Sequence, residues 1–245
     1  MTELKGQVAL VTGSSSGIGA AIARRLAADG AAVLVNSSRS AEAGQALAAS
    51  LGDAVYVQGS IADPEHVTRM LDTVTQRWGR LDILVNNAGT TRVIPHADID
   101  AASVEVWREI FEVNVFGTWQ LSQQALPLLA AGGGGQIINV TSIAAHRPIG
   151  SSIPYACSKA AVDHLTRLLA RTAGPAVRVN AVAPGLVDTP WTADWDEKRR
   201  EAVEIAPLGR VATPGDVAQV VAGLALSAYV TGQVVTVDGG LTLCF

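Results

Sequence analysis

Short runs that are apolar on both faces alternate along the chain with longer stretches of helical periodicity. Val8-Ala9-Leu10-Val11-Thr12 reads as a buried strand, and Ile18 to Ala28 as the helix after it. The alternation then repeats. Val33-Leu34-Val35 precedes a helix near Ala41 to Ser50, and Ala54 to Gln58 precedes a helix that Pro64 opens and that runs to Trp78. Leu81 to Asn86 leads to a long helical stretch, Val104 to Ala130, and Gln136 to Thr141 to a helix around Pro154 to Ala173. Val177 to Val182 and Val234 to Val237 are the last strands, with a helix opened by Pro214 between them. Strands without a polar face need cover on both sides. The pattern therefore predicts an α/β fold, a doubly wound parallel sheet of about seven strands with helices on both faces.

No internal repeat and no Pro/Ser linker divides the chain, so residues 1–245 read as one domain; Gly132 to Gly135 is the loop between a helix and a strand. One connection is unusual. Gly185 to Val211 joins a strand to a helix over many more residues than the two to six that such connections take. It carries Trp191, Trp195 and a charged run from Asp194 to Glu204. A long mixed insertion after a strand's carboxyl end suits a lid at about 186–211.

Composition narrows the class. The 245 residues are 49% apolar and only 16% charged, against the usual quarter. A chain of this length buries roughly 70% of its surface without staples, and disorder is excluded. The charge shortage implies a large core, a surface covered by other subunits, or both. Net charge is −4 with no Lys/Arg block, so nothing advertises a nucleic acid. Arg, Asp or Gly breaks every apolar run well before membrane-spanning length. Met1 to Lys5 lacks an apolar signal core, and Cys157 and Cys244 are too few for a disulfide framework, so a reducing cytoplasm is expected.

Candidate chemistry clusters after strand ends. Gly13-Ser14-Ser15-Ser16-Gly17-Ile18-Gly19 follows the first strand and opens the first helix. Glycines there let the backbone approach a phosphate, and the helix N-terminus supplies N–H donors and positive dipole. At the end of the second strand an acidic residue would hold a ribose 2′-hydroxyl and favour NAD. The chain has Asn36-Ser37-Ser38-Arg39 instead, which repels no 2′-phosphate and offers hydroxyls and a guanidinium to bind one. NADP(H) is therefore favoured, with NAD(H) the other possibility. Tyr155 and Lys159 lie four apart on a predicted helix and share a face. An ammonium beside the phenol is expected to lower its pKa from about 10 toward neutrality, suiting it to exchange a proton with a carbonyl oxygen or alcohol. Ser142 ends the fifth strand, where ligands gather in open sheets. Asn114 sits inside a helix although it is a poor helix former. Asn86-Asn87-Ala88-Gly89 ends the fourth strand and offers small and amide-bearing residues to a ribose.

Taken together, Thr12-Gly13-x-x-x-Gly17-x-Gly19, Asn86-Asn87-Ala88-Gly89, Asn114, Ser142, Tyr155-x-x-x-Lys159, Pro184-Gly185 and Val237-Asp238-Gly239-Gly240 resemble the short-chain dehydrogenase/reductase family over essentially the whole chain. The resemblance implies a Rossmann-type sheet ordered 3-2-1-4-5-6-7 and a catalytic tetrad of Asn114, Ser142, Tyr155 and Lys159. It implies that Lys159 binds the nicotinamide ribose and that Asn114 holds a water in a proton relay. Pro184-Gly185 is expected to face the nicotinamide, with Val187 and Thr189 near its carboxamide, and Ser60 and Ile61 to meet the adenine. Among subgroups the chain most resembles the 3-oxoacyl-acyl-carrier-protein reductases, and the family's habit points to a homotetramer or homodimer.

There are departures. Ser60 stands where the family usually has an Asp, Ser16 where many NADP enzymes have a basic residue, and Leu224 to Gly232 is a few residues short, which suggests a changed loop or subunit contact. The expected reaction interconverts a ketone and a secondary alcohol. Ser142, Ile143, His146, Ile149, Tyr155, Trp191 and Trp195 are candidates to line the pocket for a small-molecule carbonyl or alcohol. A catalytically silent dinucleotide sensor or scaffold, or a non-redox enzyme on the same fold, is the alternative. His66, His96, His146 and His164 have no ligand spacing, so no metal is expected. Cys157 is expected to be a small packed residue, and the apolar tail Leu241 to Phe245 to be buried against another subunit.

Overall fold

The computed structural model describes residues 3–244. The strands β1 (Val8–Val11), β2 (Ala32–Ser37), β3 (Ala54–Gln58), β4 (Ile83–Asn86), β5 (Gly135–Val140), β6 (Val177–Pro184) and β7 (Val234–Val237) form one 7-stranded sheet in the order β3-β2-β1-β4-β5-β6-β7. Every pairing is parallel. The order implied by the resemblance is the order observed. It reverses between β1 and β4, and in such sheets ligands bind in the crevice outside the strand carboxyl ends at that point.

Strand side chains alternate between two cores. Ala9, Val11, Val33, Val35, Ile83, Val85, Ile138 and Val140 face the helices α1 (Gly17–Ala28), α2 (Ala41–Ser50) and α8 (Pro214–Leu226). Val8, Leu10, Leu34, Leu84 and Ile137 face α3 (Pro64–Trp78), α5 (Thr118–Ala131) and α6 (Ile153–Ala173). This double burial is why the strands lack a polar face. Local signals set the helix ends. Asp63 caps α3 by accepting from the N–H groups of Glu65 and His66, and Gly79, at φ 70°, ends it. Thr213 and Asp216 form a capping box at the start of α8.

The long helix predicted from Val104 is not uniform. It comprises α4 (Val104–Phe111), a π-helical turn (Glu112–Gly117) and α5. The long connection after β6 holds a 3-10 turn (Pro190–Thr192) and α7 (Asp196–Ile205). Its two ends are tied together: Asp188 N–H donates to the Ala212 carbonyl at 2.8 Å, and Ala212 N–H to the Leu186 carbonyl at 3.1 Å. The shortened stretch before β7 leads into a strand's amino end, on the sheet edge opposite the strand carboxyl ends. Thr231 there accepts from Val179 N–H at 3.0 Å.

Two packing expectations need correction. Cys157 is exposed, because its place on α6 lies away from both cores. In the tail the correction concerns Leu241, which is buried in its own chain among Ile143, Ala202 and Ala206; Leu243 is exposed on the single chain. Phe245 lies outside the described residues. No described helix is long and apolar enough to cross a membrane.

Candidate active site

One cavity of about 1150 Å³ runs along the carboxyl ends of the strands, from Arg39 at one end to Trp195 at the other. That exceeds the roughly 300–1,000 Å³ typical of a small-molecule site. It has room for a dinucleotide and a second molecule.

At one end lies the loop before α1. Ser16 is the N-cap residue, and its hydroxyl caps nothing. Gly13 and Gly17 adopt left-handed backbone at φ 60° and 54°, which glycine alone takes cheaply. The three glycines nevertheless do different work. A Cβ on Gly13 would stand 2.8 Å from Ala88 Cα, and one on Gly19 would stand 2.5 Å from Asn87 Nδ2 and from the Gly13 carbonyl oxygen. Gly13 and Gly19 therefore seat the loop against the turn after β4, rather than simply clearing room for phosphate. Gly17 faces the Thr189 side chain, 3.4 Å from where its Cβ would be. Asn87 completes the seat by donating to the carbonyls of Thr12 and Gly13 at 2.9 and 3.0 Å.

The end of β2 divides likewise. Asn36 accepts from Gly13 N–H and donates to the carbonyls of Val57 and Gly59. The Ser37 hydroxyl contacts Tyr56 at 2.9 Å and donates to the Ser40 carbonyl. Both residues line the cavity, with their side chains buried and bonded within the protein. Ser38 and Arg39 are exposed, and Arg39 lines the cavity without a carboxylate partner among the described residues. Ser15, Ser60, Ile61, Ala88, Gly89, Pro184, Gly185, Val187 and Thr189 line the same cavity. Backbone donors at a helix N-terminus and an unpaired guanidinium fit a phosphorylated dinucleotide.

Farther along stand Ser142, Tyr155 and Lys159. Ser142 begins a 3-10 turn (Ile143–Ala145), and its Oγ accepts from Ala144 N–H at 3.2 Å. Ser152 caps α6, and Pro154 sits in its first turn, so Tyr155 lies at the helix start. Lys159 is one turn on and buried, and its Nζ donates to the Val140 carbonyl at 2.9 Å. The ammonium is 5.7 Å from the centroid of the Tyr155 ring. Burial pushes the phenol up to about 12, offset in part by the Ser142 hydroxyl. Burial also pulls Lys159 down to about 8, against the Asp163 charge. The expected fall of the phenol toward neutrality is thus reversed, because desolvation dominates and the ammonium bonds to a main-chain carbonyl.

Asn114 stands in the π-helical turn and is 1% exposed. Its amide is bonded to Thr90 and Ser158. The side chain is not part of the cavity wall, which Gly89 and Thr90 supply instead. The Asn114 side-chain amide is therefore engaged by protein groups.

Of the substrate-side candidates, Ile143, Ile149, Trp191 and Trp195 line the cavity. The Trp191 ring lies 6.5 Å from that of Tyr155. His146 does not line it, since its Nε2 turns to Asp163 Oδ2 at 3.0 Å. Sequence reasoning missed His96, which lines the cavity with a buried Nε2 lacking a partner among the described residues, and Leu241. His96 directly follows the stretch Thr90 to Pro95 at the pocket; a His without periodic neighbours carries no further signal.

A cavity at the switch point of a doubly wound parallel sheet, with a glycine turn at a helix N-terminus, defines a Rossmann-type dinucleotide-binding protein. A family model described as Enoyl-(Acyl carrier protein) reductase matches residues 13–242. The chain is 56% identical to the candidate ketoacyl reductase 2 of the granaticin polyketide synthase from Streptomyces violaceoruber, with 96% of each chain covered. It is 39% identical to a 3-oxoacyl-acyl-carrier-protein reductase of Thermotoga maritima, over 98% of this chain and 99% of that one. The crystal structure of a 3-ketoacyl-acyl-carrier-protein reductase from Brucella melitensis complexed with NADH superposes with a TM-score of 0.91 at 31% identity, covering 98% and 99% of the two chains. The chain belongs to the short-chain dehydrogenase/reductase family, oxidoreductases that act on the CH–OH/C=O pair.

Proposed function

We propose that this protein is an NADP(H)-dependent reductase of 3-oxoacyl thioesters or closely related ketones, with Tyr155 as its general acid. The observation that carries the reading is the joining of Tyr155, Ser142 and Lys159 in the same cavity as the loop at the start of α1. The names of the relatives support the substrate class.

Ser15, Ser16 and Gly17 would hold the pyrophosphate, Ser38 and Arg39 the 2′-phosphate, and Lys159 the nicotinamide ribose. When bound, the nicotinamide exchanges a hydride with the substrate carbon. The Ser142 hydroxyl hydrogen-bonds to the substrate oxygen, and the Tyr155 phenol gives that oxygen its proton. The Lys159 ammonium stabilises the phenolate left behind, which matters most in a site where burial makes the phenol a poor acid. With the Asn114 amide engaged, a water relay there falls to its main-chain carbonyl in the π-helical turn, a device that recurs at functional sites. Trp191 and Trp195, on the connection at 186–211, close over the substrate as a lid on a single-domain chain. Exposed Phe116, Trp119 and Leu168 support a subunit contact, in a homotetramer or homodimer, placed in the cytoplasm.

The test measures loss of reduced-cofactor absorbance with NADPH and NADH against 3-oxoacyl thioesters, ketosteroids, diketones and sugars. Turnover of a 3-oxoacyl thioester with NADPH preferred is the expected result. Failure across the whole panel overturns the reading.

A further inference from the structure

We propose that Asp163 is the counter-ion of Lys159, a positioning residue that acts on the reaction through the lysine's charge, with His146 closing the outer side of its carboxylate. The proposal deepens the reading of Lys159 given above and rests on it.

Asp163 follows Lys159 by one turn of α6, so the two side chains share a face. Both are buried, Asp163 at 4% exposure and Lys159 at 6%. A carboxylate in such a place is costly unless something balances it. Hydrogen bonding does not: neither oxygen accepts a well-aligned bond from a described residue. Burial holds the Asp163 pKa above the usual carboxylate range, and neighbouring charge offsets part of that cost. Lys159 and Arg167 face Asp163 from α6, His146 faces it from beyond the 3-10 turn, and the Thr141 hydroxyl faces it from the end of β5. The Arg167 guanidinium donates to the Asp163 main-chain carbonyl at 3.3 Å. The Thr141 hydroxyl donates to the Val182 carbonyl at 3.1 Å. His146 touches the carboxylate directly, with Nε2 3.0 Å from Oδ2, and keeps part of its ring in solvent. Lys159 in turn has a neutral carbonyl as its bonded partner. Burial drives the lysine toward its neutral form, and the Asp163 charge opposes that drive. Tyr155, Lys159 and Asp163 thus run down one helix face as acid, cation and counter-ion.

Lys5, Lys159 and Lys198 are the only lysines in the chain. Selective 13Cε-lysine labelling therefore resolves Lys159 by NMR in the free protein, with Lys159→Arg assigning its signal. Asp163→Asn is expected to lower the Lys159 titration midpoint by roughly one pH unit or more. Asp163→Leu removes the same charge in an apolar shape, should the amide impair folding. Asp163→Glu keeps the charge and is expected to stay nearer the wild-type midpoint. A midpoint that is unchanged or raised in the folded neutral variants overturns the proposal. Because the readout needs no substrate, it stands apart from the reductase reading: absence of turnover on any ketone sinks that reading alone. Where turnover is measured, the basic limb of the kcat/KM profile is expected to move down with the midpoint. A uniform loss at every pH, with the limb in place, marks a merely structural role and also overturns the proposal.

Discussion

Asn114 grips Thr90 by both ends of its amide. Its Oδ1 accepts from the Thr90 N–H at 2.8 Å, and its Nδ2 donates to the Thr90 carbonyl at 3.0 Å. The second Nδ2 proton goes to Ser158 Oγ at 3.0 Å, and Ser158 in turn donates to the Tyr155 carbonyl at 2.7 Å. One buried amide therefore joins the segment after β4, the π-helical turn and the helix that carries Tyr155. The Asn side chain is a brace for the site before it is anything else.

Asn114→Ala should therefore cost stability as well as turnover. It leaves the Thr90 N–H and carbonyl and the Ser158 hydroxyl without their partner, a loss of about 1–3 kcal/mol. Asn114→Asp keeps the acceptor for Thr90 N–H but loses both donors, so it is expected to fall between. Urea denaturation of the three proteins checks the order. An Ala variant as stable as wild type would show that the brace carries no weight.

Tyr155→Phe separates chemistry from scaffolding. The phenol ring stays against Trp191 and only the hydroxyl is lost, so stability is expected within about 0.5 kcal/mol of wild type. Loss of the general acid should lower turnover by at least about 100-fold. Dinucleotide affinity, read from quenching of Trp fluorescence, is expected to hold. Normal turnover in this variant removes Tyr155 from the mechanism.

Lys159 also makes folding depend on pH. Its folded pKa, about 8, lies below the ordinary 10.5. Between those values the unfolded chain holds the proton and the folded chain does not. Stability from this group therefore rises with pH across that window, and the cost of burying the charge falls mainly below it. Tyr155, pushed from 10 to about 12, has the opposite sign above pH 10, where the unfolded phenol ionises first. Denaturation at pH 7 and pH 9.5 should show Lys159→Met gaining on wild type at the lower pH and losing that advantage at the higher. A Met variant whose difference from wild type is the same at both pH values sinks the assignment.

How much of this was legible in the sequence depends on the kind of relationship. Strands such as Val8 to Val11, apolar on both faces, announce a parallel sheet because both faces are buried. Strand order does not follow from that pattern and came only with the family resemblance. The π-helical turn left no trace, since one extra residue hardly disturbs the apolar periodicity of Val104 to Ala130. Motif spacing brought the right residues to the cavity but did not sort them. Asn36, Asn87, Gly13 and Gly19 are expected cofactor contacts; all four line the cavity, and each is also engaged by neighbouring protein groups, which spacing alone does not reveal. The His146–Asp163 contact was invisible because it joins a loop to a helix at a register that only the packed chain sets.

The proposed preference for NADP(H) is tested at Arg39. The residues before it in β2 are committed inward, and among the described residues no carboxylate pairs with its guanidinium. A hydrogen bond from a charged group contributes about 1.5–3 kcal/mol, or roughly ten- to a hundredfold in affinity. Arg39→Ala is expected to raise the KM for NADPH by about that factor and to leave the KM for NADH nearly unchanged, since NADH has no 2′-phosphate to lose. Arg39→Asp should go further: it repels the phosphate and offers the 2′-hydroxyl of NADH an acceptor, which shifts the preference toward NADH. Equal changes for both dinucleotides in both variants would mean that Arg39 lies outside the 2′-phosphate site and that the end of β2 does not set cofactor choice.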